Sequence, residues 1–294
     1  MLENIIAVFQ SSPWLFYTSV IFTGLCVGSF LNVVAYRLPV IMERNWKAEC
    51  YTFLELEPPA PDPAIQNLSL SFPASACPHC GHKIRFWENI PILSYVLLRG
   101  KCAACHTPIS IQYPLVEALT AVLSGIVAWR FGPHWQTLAA LLFSWVLIAL
   151  TFIDLKKQLL PDNLTLPLLW AGLLFALFNL FTDLVSSVIG AMAGYIILWS
   201  VYQLFKLVTG KEGMGYGDFK LLAALGAWGG YQLLPQIILL SSIVGASMGI
   251  LMIISGRSRT RQPIPFGPYL SIAGWIALLW GAQINQIYLT FLNP

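Results

Sequence analysis

Residues 136–154 read QTLAALLFSWVLIALTFID, nineteen positions whose only charge is the closing Asp154. As a helix such a run is about 30 Å long, the thickness of a bilayer's hydrocarbon core. Lys156 and Lys157 follow at once, and basic residues gather where a membrane helix reaches the cytoplasm. The stretch therefore predicts a membrane span that carries an acid at its cytoplasmic end.

The whole chain repeats the theme. Of 294 residues 57% are apolar and only 10% charged, far from the usage of soluble domains. Further apolar stretches at 14–36, 112–131, 163–181, 184–208, 217–230, 232–255 and 267–291 bring the expected spans to eight, the sixth being short and rich in Gly and Ala. The fold class expected is an all-α polytopic membrane protein, embedded in the lipid bilayer. Its domains are expected to be a first transmembrane helix (1–37), a loop domain (38–111) and a transmembrane domain (112–294). The first span is long, follows a tail with Glu3 and no basic residue, and precedes Arg37, so it is not expected to be a cleaved signal. Pro167, Gly172, Gly190 and Gly194 fall inside spans, as membrane helices tolerate. No internal repeat is evident, and the Pro-rich tract from Glu57 to Pro63 predicts a loop.

Basic residues sort by side. With eight spans, all of the 16 Lys and Arg except Arg130 fall on one face, from Arg37 to Lys101 in the first loop and then at Lys156, Lys157, Lys206, Lys211, Lys220, Arg257, Arg259 and Arg261. That face is expected to be the cytoplasm, with both termini on the opposite side. The net charge of +3 then reflects topology. Nucleic acid is not an expected partner, because the basic residues are scattered and lack a groove-reading motif.

The first loop contains Cys77-Pro-His-Cys80 and, after 21 intervening residues, Cys102-Ala-Ala-Cys105. Two Cys-x-x-Cys pairs so spaced suit a zinc ribbon, each turning two thiolates toward one tetrahedral ion. Disulfides are the alternative, and a reducing cytoplasm argues against them. A closed four-thiolate shell leaves no position for water, so Zn2+ is expected to be structural. His79, His82 and His106 are expected to be solvated, and Cys26 and Cys50 to be bystanders. The run Ile90–Leu98 is too short to span a bilayer and is expected to form a small core around the metal.

Acids near membrane helices are costly, so Glu117, Asp154, Asp162, Asp183 and Asp218 each need a reason. Asp183 falls in a short connection and Asp162 before a span, where both suit turns or helix caps; Glu117 is left open. Asp154 and Asp218, the latter in Gly215-Tyr-Gly-Asp218, are separated by two crossings, which return both to the cytoplasmic interface. Two carboxylates a few ångströms apart cannot both ionise, and that split is what water activation by one acid and proton donation by the other require. They should then face each other across a cleft open to the cytoplasm. From the chemistry alone, a helix-capping Asp218 after a glycine turn competes evenly with that reading. The glycines lack the Gly-Lys-Ser/Thr of a phosphate loop.

Together these residues resemble the prepilin peptidases over about residues 20–280. The elements that carry the resemblance are Gly28-Ser-Phe-Leu-Asn-Val-Val34, Tyr36-Arg-Leu-Pro39, Met42-Glu-Arg44, both Cys pairs, Asp154 with Leu160-Pro-Asp162, and Gly215-Tyr-Gly-Asp218. The resemblance implies an enzyme of the bacterial inner membrane with periplasmic termini. It would remove the basic leader from type IV prepilins and type II secretion pseudopilins, with Asp154 and Asp218 as the catalytic pair. It also implies methylation of the new amino terminus from S-adenosylmethionine in the loop region, where Gly100 matches a glycine tied to that activity. No dinucleotide-type Gly-rich turn marks a donor site in the sequence itself.

The competing reading is an ion- or proton-coupled transporter, with the acids as a relay and the zinc module as a regulatory loop. Such sites usually lie at mid-membrane between repeated halves, and neither feature is evident. A non-catalytic assembly factor for secretion would leave the paired acids unexplained.

Overall fold

The computed structural model describes residues 2–57, 67–254 and 265–292. These form ten α-helices and two short 3-10 helices, with isolated antiparallel bridges at Ala76–Lys83 and Lys101–Pro108 in place of any strand. The chain divides into two compact units, Met1–Thr137 and Leu138–Pro294. Each of the eight apolar segments contains a helix, the fourth only as far as Ala176, and five helices are long and apolar enough to cross a membrane by length and composition. Arg257, Arg259 and Arg261 and most of the Pro-rich tract lie outside the described residues.

The first unit contains α1 (Leu2–Ser11), α2 (Pro13–Phe53), α3 (Leu93–Leu97) and α4 (Gln112–Phe131). Helix α1 has no counterpart among the expected spans, and Pro13 opens α2 at a position that needs no amide donor. Helix α2 runs 41 residues, about 60 Å, so residues 38–53 continue a helix where a loop is expected. Small residues bring α2 and α4 together: a Cβ on Gly28 would lie 2.7 Å from Glu117 Cα, and one on Gly24 would lie 2.8 Å from Ser124 Oγ. Buried Arg37 donates to the carbonyls of Ser69 (3.0 Å) and Pro73 (2.9 Å), and Arg44 to that of Leu68 (3.1 Å). The guanidinium fork thus ties the loop to the helix. Helix α4 belongs to this unit, so the compact units part after residue 137, whereas the sequence boundary falls before residue 112.

The second unit takes in most of α5 (Trp135–Lys157), then α6 (Asp162–Ala176), α7 (Leu184–Thr209), α8 (Tyr216–Gly229), α9 (Leu234–Ile254) and α10 (Gly267–Leu292). Helix α8 is its centre. With Phe219, Leu221, Leu222, Leu225 and Trp228 all buried, it is apolar on every side, as an enclosed helix should be. Its neighbours approach at backbone distance. A Cβ on Gly190 would run into the Gly226 carbonyl, and one on Gly194 would lie 2.6 Å from the Leu222 carbonyl. Trp228 fills the side facing α6 and donates its indole N–H to Leu168 O at 2.8 Å.

Two acids resolve differently. Asp183 caps α7, accepting from the Ser186 amide at 3.0 Å. Asp162 caps nothing: Pro161 holds the cap position of α6, and Asp162 instead receives Lys220 Nζ at 2.7 Å on both carboxylate oxygens.

Candidate active site and metal centre

The two Cys pairs form matching turns. Cys77 N–H donates to His82 O and Gly81 N–H to Cys77 O; 25 residues later, Cys102 N–H donates to Thr107 O and His106 N–H to Cys102 O, all at 2.9–3.0 Å. Ile84 with Ser75, and Ile109 with Gly100, close the two hairpins in the same way. The structure therefore contains a short repeat, contrary to the sequence reading. The left-handed position is Gly81 in one half and His106 in the other.

The four sulfurs lie within 4.8 Å of one another, with Cys77 and Cys105 at 3.8 Å. That spacing is far beyond a disulfide bond and equals the edge of a tetrahedron built on metal–sulfur bonds of about 2.3 Å, roughly 3.8 Å. The electrostatics agree. The Thr107 hydroxyl and amide bring the Cys105 thiol down to about 6. Cys80 is pushed up to about 11: the His82 amide works the other way, but burial and the sulfurs of Cys105 and Cys77 oppose a further negative charge. A cation at the centre removes that opposition. The four cysteines can thus hold a metal ion.

The surroundings differ from expectation in two respects. Ile90, Leu93, Val96 and Leu97 are exposed, Val96 and Leu97 at 63% and 71%, so this run forms no core around the sulfurs. It links the hairpins instead, anchored where Glu117 accepts from the Ile92 amide at 2.8 Å. His82 is partly exposed and pairs with Glu88 at 3.0 Å. Gly100 takes a positive φ of 67° at the entry to the second hairpin. Its amide donates to Tyr95 O (2.8 Å), and its carbonyl accepts from Ile109 (2.7 Å).

In the second unit, Asp154 lies in the last turn of α5 and Asp218 in the first turn of α8. Both are buried, at 5% and 7% exposure, rather than lining an open cleft. Asp218 is not a cap, because Gly215 holds that position, and its buried Oδ1 has no hydrogen-bond partner among the described residues. An orphaned acceptor of that kind costs about 1–3 kcal/mol and calls for a reason beyond stability.

Gly267, which sequence reading did not single out, and Leu160, quoted there only for the resemblance, complete the site. Gly267, the first residue of α10, donates its amide to Asp154 Oδ2 at 3.0 Å. Leu160 packs on both glycine segments, 2.7 Å from a Cβ on Gly217 and 3.0 Å from one on Gly267. The flanking Pro265 and Pro268 mark a turn, but they do not name its partner.

Fold and site together define a class: an all-helical protein with membrane-length helices, a tetracysteine module and two buried aspartates at helix ends. The model named Bacterial Peptidase A24 N-terminal domain matches residues 22–131, and that of the Type IV leader peptidase family matches residues 141–250. The chain is 60% identical to a protein of Aeromonas hydrophila over 95% of each chain, and 60% identical to one of Pseudomonas aeruginosa over 96% of each. A relative from Dichelobacter nodosus is 54% identical over 90% of this chain and 92% of its own. All three are named prepilin leader peptidase/N-methyltransferase. The chain belongs to the type IV leader peptidase family. No solved structure matches it. The transporter reading finds no support in these matches.

Proposed function

We propose that this protein cleaves the leader from type IV prepilins, and from pseudopilins of type II secretion, and methylates the amino terminus so released. The observation that carries the peptidase reading is that Asp154 and Asp218, both buried, share one neighbourhood although two helices separate them in sequence: Leu160 packs against Gly217, beside Asp218, and against Gly267, whose amide holds Asp154. One ionised carboxylate takes a proton from water, whose oxygen attacks the scissile carbonyl carbon. The protonated partner first supports the carbonyl oxygen and then supplies the proton that the leaving amine needs. Water is the nucleophile, so no covalent intermediate forms.

The reading extends to topology: eight crossings in the bacterial inner membrane, both termini periplasmic, and residues 38–111 as a cytoplasmic module ahead of the peptidase region 112–294. Cys77, Cys80, Cys102 and Cys105 would hold Zn2+ in a closed shell, so the ion folds the module and takes no part in hydrolysis. S-adenosylmethionine, when bound, supplies the methyl group. Gly100 offers it no backbone donor, since its amide is engaged within the hairpin. Its part in methyl transfer is to let the chain turn into the second hairpin.

Purified protein incubated with a prepilin provides the test. Asp154→Asn and Asp218→Asn are each expected to lower cleavage by about 1,000-fold or more, with the double variant hardly worse. Near wild-type cleavage by either variant would refute the pair. Methylation of an already cleaved pilin should survive both substitutions.

A further inference from the structure

Resting on that reading of the site, we infer that Gly267 is a positioning residue of the peptidase, the backbone group that holds the Asp154 carboxylate where it acts. Three observations converge on it. Its amide donates to Asp154 Oδ2 at 3.0 Å across 113 residues of sequence. Phe266 supplies the first carbonyl of α10, accepting from Tyr269 and Leu270, so the Gly267 amide is among the helix-end donors that have no partner within the helix. Pro268, next in line, has no amide to offer. A free donor at the positive end of a helix dipole is thereby committed to a carboxylate from another helix.

The third observation is steric. Gly267 is not one of the positive-φ glycines, so backbone conformation does not explain the residue. Close approach does: a Cβ would stand 2.6 Å from Asp154 Oδ2, against ordinary contact beyond 3.4 Å, and 3.0 Å from Leu160 Cδ2. A methyl group here would cost little in stability, because a side-chain oxygen can swing aside. It would, however, move a reacting oxygen by several tenths of an ångström, and a misplacement of about 1 Å can cost on the order of 100-fold in rate. Holding Oδ2 on the amide leaves Oδ1 as the oxygen that accepts from water.

Full-length Gly267→Ala, Leu160→Ala and the double variant, purified in detergent and assayed on prepilin, separate positioning from packing. Gly267→Ala is expected to lower kcat by roughly 10- to 100-fold with KM within about twofold and the unfolding temperature nearly unchanged. Leu160→Ala should not restore it in the double variant, because removing that side chain relieves only one of the two contacts. Wild-type kcat in Gly267→Ala, or rescue by Leu160→Ala, would overturn the inference. A second measurement needs no Gly267 variant. In protein labelled with 15N-glycine, the Gly267 amide proton should be shifted downfield and slow to exchange, and Asp154→Ala should abolish both properties. An amide signal indifferent to Asp154 would equally overturn the inference. If wild-type protein fails to cleave prepilin while that signal does respond to Asp154, the proposed substrate is wrong and the positioning contact stands.

Discussion

The loop of the first unit and the helical core of the second are held by opposite means. In the first, order comes from polar ties at a few points: four sulfurs within 4.8 Å, the Arg37 and Arg44 guanidinium groups on loop carbonyls and Glu117 on the Ile92 amide. In the second, α8 is gripped by α7, which approaches its backbone through Gly190 and Gly194, and by α6, whose Gly172 makes room for the Trp228 side chain. A polar tie can be undone by removing one partner or the ion. Backbone contact yields only to added volume.

Substitutions can break each pattern separately. The largest effect is expected for Gly190→Leu, whose side chain would be driven into the Gly226 carbonyl. Because backbone cannot swing aside, it should destabilise the second unit by about 3 kcal/mol, seen as a lower denaturation midpoint, while the metal content stays intact. An unchanged midpoint would mean that α7 and α8 are not held as described. Next comes Cys102→Ser. Zinc measured by elemental analysis should fall from one equivalent to below about half, and protease sensitivity should rise between residues 68 and 109 before the membrane helices respond. Wild-type protein already below half an equivalent would remove the zinc assignment.

The smallest effect tests a polar tie of the second unit, the cap of α7. The Ser186 hydroxyl and amide hold the Asp183 carboxyl below its ordinary range. A carboxylate so lowered adds stability above the ordinary aspartate range and loses it as pH falls through the lowered value. Asp183→Ala should therefore lower the unfolding temperature slightly at neutral pH, with the gap to wild type closing in acid. A gap independent of pH would assign the loss to packing instead of the cap.

What the sequence made legible, and what it hid, follows the range of the interactions. Apolar runs such as 136–154 announce their helices because solvent preference is written residue by residue. The Cys pairs are legible because a knuckle is local. Residues 38–53 read as loop because Pro39 and the charges of Glu43, Arg44, Lys47 and Glu49 interrupt the apolar run, yet they extend α2 to Phe53. The hairpin repeat was hidden because its halves, Cys-Pro-His-Cys-Gly-His and Cys-Ala-Ala-Cys-His-Thr, share little beyond the cysteines. Their likeness lies in backbone pairing, which different side chains support. Lys220 with Asp162, and Gly267 with Asp154, join residues 58 and 113 positions apart, and no periodicity in one sequence encodes such a partnership.

The hairpin repeat also bears on polymer entropy. Each half presents its two sulfurs through its own backbone bonds, so closing the site amounts to bringing two prepared halves together across the 21 residues between Cys80 and Cys102. The cost of closing a flexible loop grows only with the logarithm of its length, about 0.6 kcal/mol for a doubling, or roughly threefold in metal affinity. Lengthening the connector with flexible residues would scarcely loosen the ion, whereas one residue added inside either hairpin would misplace a pair of thiolates. The module can therefore vary in length at its middle and is rigidly specified at its two ends.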